Sequence, residues 1–256
     1  MSGHVVLTSH IDRIGYLTLN RPDALNAITV ELGRALHEAL VAFAEDVDVI
    51  VIRGAGGNFC AGGDFDELAR LHAKGRDAMA ALFDHFGRAC AVIAELPATV
   101  VTVVEGYAMA GGFELMQAAD IALVRADARL ADNHSNFGQV PGGGGTQRLA
   151  RLVGRQRALG HILTGERLSG AEAAEWGLAY RAFEPEEFEA GVERVVARLA
   201  GNDSAALARS KRLVYAGLEG SLRDGLALER EGVLDHLTGD HAGAGIAAFR
   251  EKRTSA

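Results

Sequence analysis

Apolar and polar positions recur with readable periods along most of this chain. Two short β-rich runs, His4–Thr8 and Ile14–Leu19, flank the polar Ser9–Arg13 and predict a hairpin. After Arg21-Pro22-Asp23, residues Leu32, Leu36, Leu40 and Phe43 fall at spacings of four, four and three. That spacing predicts an amphipathic helix over Thr29–Ala44. Val49–Arg53, closed by Gly54, is a short unbroken apolar run and predicts a strand buried on both faces. The cycle recurs with a helix over Asp77–Leu96, a strand over Thr99–Glu105, a glycine turn at Gly111-Gly112 and a strand over Ile121–Arg125. Alternation of this kind predicts an α/β fold whose parallel strands are joined by helical crossovers. Beyond Gly142-Gly143-Gly144-Gly145, helical patterns dominate from Thr146 to Arg253, broken at Thr164-Gly165, Asn202-Asp203 and Thr238-Gly239-Asp240. The expected organisation is a core over residues 1–200 and a helical region over 201–256. At the end of the latter, Ile246, Ala247 and Phe249 lie beside Arg250, Lys252 and Arg253, an amphipathic pattern that needs a surface to cover.

Composition narrows the partners. With 256 residues, 48% of them apolar, the chain can bury a substantial core. Its formal charge is −8 and its 26 Lys and Arg are scattered, so it lacks the basic patch that a nucleic acid or an anionic membrane surface requires. A small molecule is the expected partner, an anionic one included, because backbone N–H groups can hold phosphates in an acidic protein. The two cysteines, Cys60 and Cys90, cannot supply a disulfide framework or a structural zinc site, which fits a reducing cytoplasm. Met1–His10 lacks a basic stretch followed by an apolar one, and no apolar run approaches the roughly 20 residues of a membrane-spanning helix. His85 and His161 have no metal-ligand spacing and are expected to be packed or surface residues, so no metal is expected. The four-glycine run lacks the Gly-Lys-Ser/Thr ending of a nucleotide phosphate loop.

Two segments carry candidate chemistry. Asn58-Phe59-Cys60-Ala61-Gly62-Gly63-Asp64 follows a predicted strand and opens a helical pattern, so its glycines sit where the backbone turns tightly with N–H groups exposed. An ordinary tight turn accounts for it equally well. Glu105-Gly106-Tyr107-Ala108-Met109-Ala110-Gly111-Gly112-Phe113-Glu114 joins strand to helix in the same way, with an acid in the first turn. That acid has a plain reading too, as a carboxylate favoured by the helix dipole. If the two junctions meet, the N–H groups of Gly63 and Gly111 converge on one oxygen. A thioester carbonyl would use such a pair, since α-proton removal or β-addition to an enoyl group moves negative charge onto that oxygen.

These two segments, 48 residues apart, resemble the signature regions of the crotonase (enoyl-CoA hydratase/isomerase) superfamily. Arg21–Ala27, Gly138–Leu149, Leu163-Thr164-Gly165 with Ala171–Gly177, and Phe249–Arg253 are similar to further regions of that family. The resemblance implies a crotonase-like spiral of ββα units with a helical C-terminal region, assembled as trimers or pairs of trimers. It implies no permanently bound cofactor, coenzyme A entering as part of an acyl-CoA thioester substrate. Carried over by residue, it makes Gly63 and Gly111 the oxyanion donors, Glu114 the first of two catalytic glutamates, and Gly142 a glycine whose N–H holds the attacking water. Ala24, Ala61 and Asp64 fall in stretches that wrap the CoA, and Phe249 and Lys252 match residues that reach it from the terminal helix.

The departure is His134, four residues before Gly138, where a hydratase of this family carries its second glutamate. Imidazole donates or accepts a proton near neutral pH, so it can substitute or mark another reaction. A structural histidine is the plain alternative, with Asp132 as an orienting partner or a turn residue. The leading expectation is a lyase adding water to a 2-enoyl-CoA. Another is different enolate chemistry on the same fold, as isomerase, hydrolase, decarboxylase or dehalogenase. A noncatalytic CoA- or RNA-associated protein is the third, disfavoured by the retention of Gly63, Gly111 and Glu114 and by the negative charge.

Overall fold

The computed structural model of the protein describes residues 4–44 and 46–239. The expected terminal helix over 242–253, with Phe249 and Lys252, lies outside the described residues. The chain divides into two compact units, with the change at Gly201/Asn202.

The first unit is built on a six-stranded sheet. Its strands are β1 (Val6–Ile11), β2 (Ile14–Leu19), β3 (Val49–Gly54), β4 (Thr99–Val104), β6 (Ile121–Arg125) and β9 (Arg181–Phe183), side by side in that order. Only β1 and β2 pair antiparallel, with Ile11 opposite Ile14; every other neighbouring pair is parallel. A smaller sheet of β5 (Tyr107–Met109), β7 (Arg129–Ala131) and β8 (Leu168–Ser169) stands beside it. The result is the α/β fold with parallel strands and helical crossovers that the sequence predicts.

The unbroken apolar runs of β3 and β4 follow from burial on both faces. Leu17, Leu19, Ile50, Ile52, Val100, Val104 and Val124 pack against α1 (Val30–Phe43) and α3 (Arg76–Val92) through Leu32, Leu36, Leu40, Leu82 and Phe86. On the opposite face Val49, Val51, Val101, Val103 and Leu123 meet Phe188, Val192 and Val196 of α8 (Phe188–Ala200). Leu32, Leu36 and Leu40 are fully buried, and each such side chain contributes roughly 1.5–3 kcal/mol of hydrophobic stabilisation. Thr29 starts α1 by accepting the Leu32 N–H on its hydroxyl, which ends the extended approach to the helix.

Three elements differ from expectation. The Gly111-Gly112 turn is itself the first turn of α4 (Gly111–Ala118). The first strand runs on to Ile11, so the polar Ser9 and His10 lie within it. The segment from Thr146 is not helix throughout: β8 and β9 interrupt it, between α6 (Arg155–Thr164), α7 (Gly170–Glu175) and α8. Strands of two or three residues are too short to show a period, and β9 exists because β6 offers it an open edge.

Close packing between the two glycine segments explains Gly112. A Cβ there would lie 2.1 Å from the Cys60 carbonyl oxygen, a backbone atom that cannot step aside. Gly112→Ala is expected to lower stability by about 1–3 kcal/mol through overpacking, as read from urea denaturation.

The second unit, taken by itself, contains an antiparallel pair of helices, α9 (Ser204–Leu218) and α10 (Leu222–Thr238). They approach closely where Gly217 meets Gly225 and where Leu213 covers Gly232. Asp203 and Ser221 cap their N-termini. Val214, Leu218, Leu222 and Leu226 remain exposed.

Candidate active site

A parallel pairing brings the two glycine segments together. Cys60 donates its N–H to the Tyr107 carbonyl, and Cys60 O accepts from Met109, so Cys60 lies opposite Ala108. Gly63 and Gly111 each follow that pair by three residues and therefore emerge at the same level. Both line one cavity of about 540 Å³. The turns are close enough that a Cβ on Gly62 would lie 3.6 Å from the Gly111 nitrogen. The bridge between Gly63 and Ile28 uses Gly62 O and Asp64 N–H, so the Gly63 N–H is not consumed by the fold. The Gly111 N–H is one of the first-turn donors that a helix leaves unpaired. Before it, Ala110 is held at φ 47°, ψ −117°, an uncommon conformation for a residue with a side chain, and its N–H donates to Ala131 O at 2.8 Å.

Glu114 lies on the inner side of α4's first turn, 2% exposed. Its Oε1 accepts the N–H groups of Gly143 at 2.8 Å and Gly145 at 2.7 Å, the latter opening α5 (Gly145–Val153). The glycine run lets this backbone approach: a Cβ on Gly143 would meet Glu114 Oε2 at 2.8 Å, and one on Gly145 would meet Asp132 Oδ2 at 2.9 Å. Burial pushes the Glu114 carboxyl above its ordinary range, outweighing the Gly145 and Gly143 N–H groups and the nearby His134, which favour the charged form.

His134 starts a 3₁₀ turn, His134–Phe137, and its ring is buried beside Glu114. Its Nδ1 is 2.7 Å from Oδ1 of the fully buried Asp132. A carboxylate only accepts, so the proton belongs on Nδ1, and Nε2 faces Glu114 Oε2 across 3.9 Å. That gap is too long for a direct hydrogen bond and short enough for one small group to touch both. Glu114 and His134 thus place a carboxyl and an imidazole, both able to exchange protons, on the wall of a cavity that Gly63 and Gly111 also line. The rest of the wall is largely apolar, with Leu68, Met79, Leu82, Phe83 and Phe86.

Gly142 lies just outside this wall, exposed against Phe83; its neighbour Gly143 contributes the lining. Asp64 caps α2 (Phe65–Lys74), accepting the Glu67 N–H, while its other oxygen pairs with Arg21 at 2.8 Å. Although burial alone would raise it, that N–H and the Arg21 guanidinium hold the Asp64 carboxyl below its usual range. Ala61 donates to Leu25 O, next to Ala24, so the early segment and the first glycine turn adjoin. Cys60 is fully buried and burial pushes its thiol up to about 12, which suits packing rather than nucleophilic attack. The roles of Gly143 and Gly145 as donors to Glu114, and the buried His161 behind Asp132, carried no separate signal in the sequence; Gly-rich spacing hinted only at close backbone approach.

The sequence matches the family model described as enoyl-CoA hydratase/isomerase over residues 10–256. The chain belongs to the enoyl-CoA hydratase/isomerase family. The mitochondrial enoyl-CoA hydratase of Pongo abelii is 33% identical over 246 residues, 94% of this chain and 82% of the relative. The crystal structure of an enoyl-CoA hydratase from Polaromonas sp. JS666 superposes with a TM-score of 0.92 at 29% identity, covering 96% of this chain and 97% of that one. A Thermobifida fusca YX protein crystallised in complex with acetoacetyl-CoA superposes with a TM-score of 0.83 at 26% identity, covering 91% and 95%. This protein is accordingly a crotonase-fold enzyme, and among its described residues no helix is long and apolar enough to cross a membrane.

Proposed function

We propose that this crotonase adds water across the double bond of a 2-enoyl-CoA, with His134 in the place of a second glutamate. The observation that carries the reading is the opposition of Glu114 and His134 at 3.9 Å in the cavity that Gly63 and Gly111 also line. In this scheme the thioester oxygen accepts the N–H groups of Gly63 and Gly111. His134, with Nδ1–H given to Asp132, takes a proton from water at Nε2 as the water oxygen bonds to the β-carbon. The electron pair of the double bond moves toward the thioester oxygen, forming the enolate. Glu114, whose burial favours the protonated carboxyl, then delivers its proton to the α-carbon. One proton has entered His134 and one has left Glu114; transfer back across the gap between them restores the starting state.

The apolar stretch of wall formed by Leu68, Met79, Leu82, Phe83 and Phe86 suits a hydrocarbon acyl group. Ala24, Ala61 and Asp64, with Phe249 and Lys252 of the terminal segment, are proposed to hold the CoA. Assembly as a homotrimer or pair of trimers belongs to the same reading, and the exposed leucines of α9 and α10 fit it. The mass of the particle by light scattering tests that part.

The reaction is tested by incubating the protein with enoyl-, 3-hydroxyacyl- and 3-oxoacyl-CoA esters and following products by mass. Gain of one water by an enoyl ester is expected. Cleavage of a 3-oxoacyl ester, or migration of a double bond, with no hydration would replace this reading by the other enolate chemistries. His134→Ala is expected to lower kcat on the best ester by roughly 10²–10⁴-fold. Full activity in that variant would remove His134 from the mechanism.

A further inference from the structure

We propose that His161 is a positioning residue: its Nε2 pins the Ala131–Asp132 peptide and thereby sets both the Asp132–His134 pair and the Ala110–Gly111 turn. The proposal rests on the enolate chemistry above for its consequence, while its geometry stands apart from any particular reaction.

His161 lies on α6, 5% exposed, with its ring 5.2 Å from that of Phe113 and 6.1 Å from that of Trp176. The Asp132 N–H donates to its Nε2 at 3.1 Å. Accepting requires a lone pair on Nε2, so the ring proton sits on Nδ1; burial, which lowers the pKa of this imidazole, favours the neutral form that the bond needs. The carbonyl of the same peptide, Ala131 O, accepts the Ala110 N–H at 2.8 Å. One rigid peptide plane is therefore held at both ends. At one end it steadies Ala110 in its unfavourable positive-φ conformation and so aims the Gly111 N–H; at the other it places Cα of Asp132.

Asp132 needs that backbone support because its side chain has little of its own. The carboxylate is fully buried, Oδ1 meets His134, and Oδ2 has no hydrogen-bond partner among the described residues. A carboxylate tethered at one oxygen keeps its direction only if its backbone is fixed. His161, which does not line the cavity, would fix it.

His161→Phe keeps an aromatic ring beside Phe113 and Trp176, at the cost of a slightly larger ring, but removes the acceptor; His161→Gln can return an acceptor through Oε1. On the ester turned over fastest, His161→Phe is expected to lower kcat by roughly 10–100-fold with KM changed by less than about twofold, the pattern of misplaced catalytic groups. His161→Gln is expected to recover most of that loss. The downfield proton resonance of His134 Nδ1–H should move in the Phe variant and return in the Gln variant. In the unsubstituted protein, ¹⁵N shifts of the His161 ring should show an unprotonated Nε2 and a protonated Nδ1. A protonated Nε2 overturns the clamp even if the Phe variant fails to fold. Equal kcat for His161→Phe and the unsubstituted protein, or an unmoved His134 resonance, overturns it as well. If no ester is turned over, the hydration reading fails, but the two spectroscopic readouts still decide the clamp.

Discussion

Glu114→Gln lowers kcat by roughly 10²–10⁴-fold while leaving the protein as stable as before, or more stable, at neutral pH. Glutamine keeps an Oε1 that can accept the Gly143 and Gly145 N–H groups, so the junction between α4 and α5 stays closed. What disappears is the proton that the proposed hydration delivers to the α-carbon. The stability side follows from the raised pKa of the buried carboxyl. Above its ordinary value of 4.5 the unfolded chain releases this proton while the folded protein still holds it. The folded state then binds more protons, and stability falls as pH rises from about 4.5 through the folded pKa. Glutamine does not titrate, so this source of pH dependence is absent from the variant. Urea denaturation of the two proteins across that window should show the variant gaining on the parent as pH rises, and steady-state kinetics should show the fall in kcat. Activity within a factor of a few of the parent would remove Glu114 from proton transfer.

Gly63→Pro deletes an N–H at the cavity wall and is expected to lower kcat by about 10²–10³-fold, corresponding to roughly 3–4 kcal/mol of transition-state stabilisation. Proline is informative because the bridge between this turn and Ile28 runs through Gly62 O and Asp64 N–H, leaving the Gly63 N–H out of the fold's own hydrogen bonds. Gly63→Ala is the control, since it adds a Cβ and keeps the N–H. Its Cβ would meet Leu68 Cδ1 at 3.2 Å, the end of a side chain that can turn away. The alanine variant should keep most of its activity, with circular dichroism showing both variants folded. Equal losses in the two would mean that crowding, not the missing donor, is responsible, and the enolate account would lose its electrostatic basis.

Gly63, Gly111, Glu114 and His134 stand in segments whose resemblance to the crotonase family implied a thioester enolate, while each segment taken alone had a plain structural reading. The partners that tune them left no such trace. Gly143 and Gly145 reach Glu114 from 29 and 31 residues away, and His161 reaches Asp132 from 29 residues away. Nothing local marks such pairings. His161 looked like an ordinary packed histidine, and packed it is; only its direction toward one backbone N–H distinguishes it.

What could be read along the chain is what local physics governs. The apolar period of α1, the buried runs of β3, β4 and β6, and the tight glycine junctions follow from side-chain spacing and backbone freedom, which act within a few residues. Long-range pairing supplied the three-residue strands β5, β7 and β9, the common level of Gly63 and Gly111 set by Cys60 opposite Ala108, and the 3.9 Å between Glu114 and His134. These depend on hydrogen bonds between segments far apart in the chain, whose register exists only once the sheets have paired and the core has closed around them.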